Sequence, residues 1–132
     1  MNVQLDSDIQ QGMSVAKETF GKIDFLLHSI AFADRDDLNR ETVETSRAGF
    51  NMAMEISAYR LVAVANAAGP IFNSEASILT MTYFGGEKAV PGYNVMGVCK
   101  AALDSIVKYL AFDMGPQGVR VNALRAGPLK TL

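Results

Sequence analysis

With 132 residues, 49% of them hydrophobic, the chain holds enough apolar material for the core of one domain. A net charge of −2 gives no sign of a basic groove for nucleic acid or a polybasic patch for a membrane surface. The single cysteine, Cys99, excludes an internal disulfide and a multi-cysteine metal site, and the single histidine, His28, has no histidine partner with which to hold a metal.

Asp6, Ser7 and Asp8 form a helix start, after which Ile9, Met13, Ala16 and Phe20 recur at helical spacing up to Gly21. The mostly apolar run IDFLLHSIAFA (23–33) does not alternate, as expected of a strand covered on both faces. A charged loop (34–44) follows, in which Asp34, Arg35, Asp36 and Asp37 read as solvated. A helical period then runs from about Ser46 to Ala68 and is closed by Gly69-Pro70. ASILTMT (76–82) reads as a second buried strand. Gly85, Gly86, Pro91 and Gly92 break the chain before a long helix from about Tyr93 to Met114. After the turn Gly115-Pro116-Gln117-Gly118, VRVNAL (119–124) reads as a third strand. The order α-β-α-β-α-β predicts an α/β fold: part of a doubly wound, Rossmann-like parallel sheet with helices on both faces. The first strand-to-helix turn of such a fold carries phosphate-binding glycines. No G-x-G-x-x-G occurs here, so the expectation is the middle and later part of the fold, with its N-terminal strands and phosphate loop absent.

Tyr93 and Lys100 lie seven positions apart, about two helical turns, on one helix face and about 10 Å apart along the axis. The tyrosine hydroxyl can face the crevice above the strand ends. A lysine two turns on can reach ribose hydroxyls, and its charge favours the anionic side of a tyrosine equilibrium. The spacing alone is a weak signal, since roughly one chain in five of this composition would hold such a pair by chance. The segment MTYFGGEKAVPGYNVMGVCKAALDSIVKYLAFDMGPQGVRVNALRAGPLKTL (81–132), with LHSIAFA (27–33) and MAMEISAY (52–59) upstream, resembles the NADH-dependent enoyl-[acyl-carrier-protein] reductases, divergent members of the short-chain dehydrogenase/reductase superfamily. Ordinary short-chain reductases have Tyr-x3-Lys, which would place lysine at position 97. Gly97 stands there, and the wider spacing belongs to the enoyl-reductase branch.

The resemblance covers the whole chain and implies the following. Residues 1–132 are the C-terminal catalytic part of a single Rossmann-type reductase domain. The activity is reduction of a trans-2-enoyl thioester on acyl carrier protein with NADH, in type II fatty acid synthesis. Tyr93 is the catalytic tyrosine at the thioester oxygen, Tyr83 is a second active-site tyrosine lining the acyl pocket, and Lys100 holds the nicotinamide ribose. Asn2, Val3, Ile30, Pro128, Leu129, Lys130, Thr131 and Leu132 fall at cofactor positions, and Ala33 and Met96 fall beside the substrate. Asn2 replaces an aspartate of the family's pattern, and Arg125 stands where a small residue is expected. The helices near 46–68 and 93–114 carry apolar residues on more than one face, so a homo-oligomer is expected, and the resemblance implies a homotetramer. A rival within the family is a truncated or degenerate member without activity, acting at most as an assembly partner. A ketone-reducing short-chain enzyme is disfavoured by Gly97 and the Tyr83–Tyr93 pair. His28 and Cys99 read as core residues, and Met52, Met54 and Met81 as core packing. No apolar run reaches membrane-spanning length, and residues 1–20 are not a secretory signal. A cytoplasmic protein is therefore expected, or a stromal one in a plastid.

Overall fold

The computed structural model describes residues 1–127. Helix α1 (Asp6–Phe20) leads through Gly21 into strand β1 (Ile23–His28). Gly21 has φ 71°, a conformation that favours glycine, and its N–H closes the helix on the Lys17 carbonyl. A one-turn helix α2 (Arg35–Leu38) and a 3-10 turn (Thr42–Glu44) occupy the segment read as a loop. The second long helix is three pieces: α3 (Arg47–Met54), a π-helical turn (Glu55–Tyr59) and α4 (Arg60–Ala68). Strand β2 (Phe72–Thr82), helix α5 (Asn94–Met114) and strand β3 (Arg120–Arg125) complete the order.

The three strands form a parallel sheet in the order β1-β2-β3. Phe25 to His28 pair with Ser77 to Thr80, and Ser77 to Thr82 pair with Arg120 to Arg125. The register breaks between Ile23 and Phe25, so the regular ladder of β2 begins at Ser77, close to the predicted start of that strand. β1 is shorter than predicted. Beyond His28, the Phe32 backbone N–H donates to Ser57 Oγ and its carbonyl accepts from the same hydroxyl, both at 2.8 Å. A side chain in the π turn thus takes the place of a neighbouring strand there.

The main core lies between the sheet and helices α4 and α5, where Leu61, Ala65, Ile78, Leu103, Val107 and Val121 pack together. Leu26 joins this core and also the smaller cluster of Val3, Ile9 and Val64, so α1 lies on the same side as α4 and α5. The other face is bare among the described residues. Phe25 is 72% exposed, Leu27 57% and Leu124 50%. The expectation of helices on both faces, with β1 covered on each side, is therefore corrected: every helix whose packing on the sheet is described covers one face. No helix of the described residues is long and apolar enough to cross a membrane.

An apolar sheet face of this kind predicts self-association. Leu27→Asp or Phe25→Asp should raise the solubility of the chain and change its thermal midpoint little, because neither side chain contributes to the core in this structure. Light scattering and thermal unfolding at matched concentration test this. A large drop in midpoint would show that the face is buried in the isolated chain.

Candidate active site

Tyr83, Tyr93 and Lys100 converge at the C-terminal ends of the strands. Tyr83 directly follows β2, and Tyr93 occupies the N-cap position of α5. Their rings meet edge to face with centroids 4.8 Å apart. The turn between them brings the rings together. A Cβ on Gly85 would lie 2.4 Å from the Tyr93 ring and 3.2 Å from the Tyr83 ring, and one on Gly86 would lie 2.8 Å from the Ala101 backbone nitrogen. Gly97 is equally constrained, since a Cβ there would come 2.7 Å from the Gly85 carbonyl oxygen. Position 97 therefore has no room for the lysine of ordinary short-chain reductases.

Lys100 is buried, and its ammonium donates to the Met81 carbonyl at 2.7 Å. Burial pulls its pKa below the usual lysine value, with Cys99 and Asp104 opposing. Burial likewise raises the Tyr93 phenol, with Tyr83 and then Cys99 adding to the effect. With its pKa raised, the Tyr93 phenol keeps its proton at neutral pH and can donate a hydrogen bond. Lys100, Tyr83 and Tyr93 line a groove of about 420 Å3 with Thr82, Val90, Pro91, Ala126 and Gly127. A second groove of about 710 Å3 lies on the other side of Tyr93, walled by Arg40, Lys88, Val98 and Ala101.

The remaining predicted residues fall into two groups. Ala33 and Met96 are buried with Ala53, Val95 and Cys99 in a cluster against Tyr93, and neither is among the residues lining the two grooves. Val3 is buried and Ile30 packs against the same small cluster with Ile9 and Val64. Asn2 is exposed and makes a local turn, its side-chain oxygen accepting from the Gln4 N–H. Arg60, itself buried, steadies this segment through Asp6 at 2.7 Å, the Gln4 carbonyl at 2.8 Å and Glu55. Pro128, Leu129, Lys130, Thr131 and Leu132 lie outside the described residues. Arg125 pairs with Glu87 at 2.5 Å and reaches Asp104 at 3.5 Å, joining the end of β3 to the turn after β2 and to α5.

The sequence reading missed three supports of the site. Asp37, taken as solvated, is buried: it accepts from the Ser46 N–H and hydroxyl, both at 2.8 Å, and Ser46 in turn caps α3. Asn94, beside Tyr93, donates to the carbonyls of Asp37 and Arg40 at 2.7 Å and so ties that loop to α5. Ser57 holds the Phe32 backbone from the π turn, a local geometry often found at functional sites. An S/T-to-glycine spacing at 46–49 was the one available signal. Cys99 is buried and its thiol is pushed up to about 11, in keeping with a core residue. Of His28, Nδ1 is partnered and Nε2 is not, so the reading as a satisfied core histidine holds for half of the ring.

Comparison with known proteins fits this geometry. The family model described as enoyl-(acyl carrier protein) reductase matches residues 1–132. The chain belongs to the enoyl-(acyl-carrier-protein) reductase family. It is 49% identical to the NADH enoyl-[acyl-carrier-protein] reductase of Nostoc over 131 residues, 99% of this chain and 51% of that protein. The crystal structure of the Bacillus cereus reductase with NADP+ and indole naphthyridinone superposes with a TM-score of 0.96 at 49% identity, covering 99% of this chain and 51% of that one. The Anaplasma phagocytophilum reductase in complex with NAD gives 0.96 at 45% identity, over 98% and 50% of the two chains. The chain spans about half the length of the relatives it matches.

Two predictions follow from the site's packing and protonation. Gly85→Ala should displace the Tyr93 ring, seen as loss of cross-peaks between the two tyrosine rings by NMR while the β2–β3 ladder persists. Unchanged ring contacts would show that the turn has slack. Separately, burial and then the Lys100 charge hold the His28 pKa below its ordinary 6.5. The unfolded chain therefore takes up this proton near pH 6.5 while the folded chain does not, and stability falls as pH drops below that value. Below pH 3.8 Asp37 adds a loss of the same sign, because the Ser46 hydrogen bonds keep its folded pKa lowered. Urea unfolding should give lower stability at pH 5 than at pH 7.5, and His28→Asn should flatten that slope.

Proposed function

We propose that this chain supplies the catalytic half-site for NADH-dependent reduction of trans-2-enoyl thioesters carried on acyl carrier protein, the elongation step of type II fatty acid synthesis. The observation that carries the reading is the Tyr83–Tyr93 pair set over a groove whose wall holds a buried Lys100, in a chain that matches this family from end to end. The residues fit one end of a nicotinamide dinucleotide. Lys100 offers a buried ammonium with hydrogens to spare at the groove, and Val3 and Ile30 form an apolar contact beside the same strand ends. When bound, the cofactor supplies the hydride that reaches the β-carbon of the enoyl group.

The chain's own residues then act on charge and position. Charge develops on the thioester oxygen, and the neutral Tyr93 hydroxyl donates a hydrogen bond to it. Tyr83 braces the Tyr93 ring and closes the acyl side of the pocket with an apolar edge. Lys100 fixes the ribose by its N–H groups. Ala33 and Met96 shape the floor beneath Tyr93. Residues 128–132, with Asn2, complete the proposed cofactor contacts. The outer surfaces of the helices bear exposed Tyr59, Val98, Tyr109 and Phe112, and a groove of about 310 Å3 lies between α4 and α5, which supports a homo-oligomer, a tetramer by family, in the cytoplasm.

In a full-length family reductase carrying this segment, Tyr93→Phe should lower kcat by roughly 10²–10³ if the hydroxyl is the oxyanion donor. Lys100→Ala should chiefly raise KM for NADH. Steady-state kinetics with a crotonyl thioester separates the two effects, and unchanged turnover in Tyr93→Phe would remove that residue from the mechanism.

A second reading concerns the 132-residue chain by itself. Its sequence has no G-x-G-x-x-G turn to receive the two charges of a pyrophosphate, so the cofactor would be held at one end only. The chain alone is expected neither to bind NADH at micromolar concentration nor to turn over, and to act at most in an assembly. Calorimetric titration with NADH, followed by the crotonyl assay, decides this. Tight binding with turnover would reveal a phosphate site of another kind.

A further inference from the structure

Beneath the two tyrosines, on the helix-covered face of the sheet, His28, Thr80 and Lys100 are almost wholly removed from solvent at 2%, 0% and 6% exposure. The reaction geometry uses only the lysine. His28 ends β1 and stands opposite Thr80 in the ladder. Thr80 Oγ1 donates to the His28 carbonyl at 3.0 Å and lies 3.1 Å from His28 Nδ1. A hydroxyl has one hydrogen. With that hydrogen on the carbonyl, the oxygen can only accept from the ring, so Nδ1 carries the imidazole proton and Nε2 keeps its lone pair. Nε2 is buried with no hydrogen-bond partner among the described residues. One residue beyond Thr80, the Met81 carbonyl receives the Lys100 ammonium at 2.7 Å.

We infer that His28 is a positioning residue for Lys100. As the neutral Nδ1–H tautomer it holds the Thr80 hydroxyl, and Thr80 locks the ends of β1 and β2 together. That lock fixes the Met81 carbonyl where α5 delivers the lysine. Neutrality is part of the arrangement, because an imidazolium at this position would place a second buried cation beside Lys100, and an unpaired buried charge is strongly unfavourable. The same hydroxyl also holds the His28 carbonyl, where the chain leaves β1 toward Ile30 and Ala33. The value of this support to catalysis rests on the reading of Lys100 as the cofactor-holding residue, whereas the test reads the lysine directly.

The test is NMR on the 15N,13C-labelled 132-residue chain. His28 is the only histidine, so its ring signals need no residue assignment, and Nδ1 and Nε2 are told apart by their different couplings to the carbon-bound ring protons. The expected signals are a protonated Nδ1, an unprotonated Nε2, and a coupling across the hydrogen bond from Lys100 Nζ to the Met81 carbonyl carbon. Thr80→Ser keeps the hydroxyl and should keep the coupling. Thr80→Val should lose it while the amide spectrum of α5 stays in place. His28→Asn, whose side-chain N–H can replace Nδ1–H, should retain it, and His28→Ala should not. A merely structural role would shift β1 and α5 amides together and would not be rescued by asparagine. A coupling that survives Thr80→Val, or a wild-type ring protonated on Nε2, overturns the inference; the second result is read on the wild-type chain and needs no variant to fold. If the couplings behave as expected while Lys100→Ala in a full-length reductase leaves cofactor binding unchanged, the positioning stands and the cofactor reading fails.

Discussion

The site depends on how closely the turn after β2 can approach the first two turns of α5. Gly86 rests on the helix backbone itself, since a Cβ there would be 2.8 Å from Ala101 N and 2.9 Å from the Lys100 carbonyl carbon, while Gly85 leaves room for the Tyr93 ring. Gly97 answers from the helix side, leaving space for the Gly85 carbonyl. The missing side chains at 86 and 97 thus let backbone lie on backbone, a separation that any larger residue would forbid. The consequences run outward. Tyr83 and Tyr93, at the two ends of the turn, are forced edge to face, and the helix starts at a height that delivers Lys100 to the Met81 carbonyl. Arg125 then ties the far rim to the same turn through Glu87. That bond is half exposed and screened by solvent, so it trims the position of the turn and does not set it.

The sheet shows a different constraint. A parallel sheet normally buries both faces, because its crossover helices leave by either side. Here the packed helices cover one face, and Phe25, Leu27 and Leu124 stand in solvent on the other. The strands nonetheless read as near-continuous apolar runs, the signature of two-sided burial. Sequence pattern and observed burial therefore disagree at particular residues, and the disagreement has one physical meaning: these side chains suit a covered environment that the described residues do not provide. The relatives, about twice as long, have further chain with which to provide it.

Much of the fold was legible because its elements are strongly punctuated. Gly21, Gly69-Pro70 and Gly115-Pro116 stop helices and Gly92 marks the turn before α5, by backbone chemistry that needs no tertiary context, and the element order follows from them. The Tyr93-to-Lys100 spacing likewise survives translation into three dimensions, since both residues reach one groove. What stayed hidden depends on contacts between distant positions. Asp37 resembles its neighbours Asp34 and Asp36 in sequence, yet it alone is buried, because Ser46 and Asn94 come to it from other elements. The π turn at Glu55–Tyr59 has no propensity signal; it exists where Ser57 turns to the Phe32 backbone, and that meeting spans 25 positions. Met96 falls beside the substrate by likeness, and its burial in the cluster against Tyr93 depends on residues distant in sequence.

The seven-residue interval also has a consequence for protonation. A donor to a developing oxyanion must hold its proton, whereas a cation within one turn of a phenol favours phenolate. A lysine at position 97 would lie one turn from Tyr93. Gly97 removes that possibility sterically, and Lys100, a turn further on, spends its ammonium on the Met81 carbonyl. The Tyr93 phenol is consequently governed by burial and by the neighbouring Tyr83 and Cys99, all of which raise it. The same burial lowers Lys100, so the two groups are drawn toward neutrality by the low-dielectric layer they share. In such a layer a hydroxyl meets charge only when the substrate develops it, and the hydrogen bond it then donates is strengthened by the absence of competing water. Under the function proposed above, the wider spacing separates two tasks that a lysine one turn from the tyrosine would merge: contact with the cofactor, and a neutral hydroxyl at the reacting oxygen.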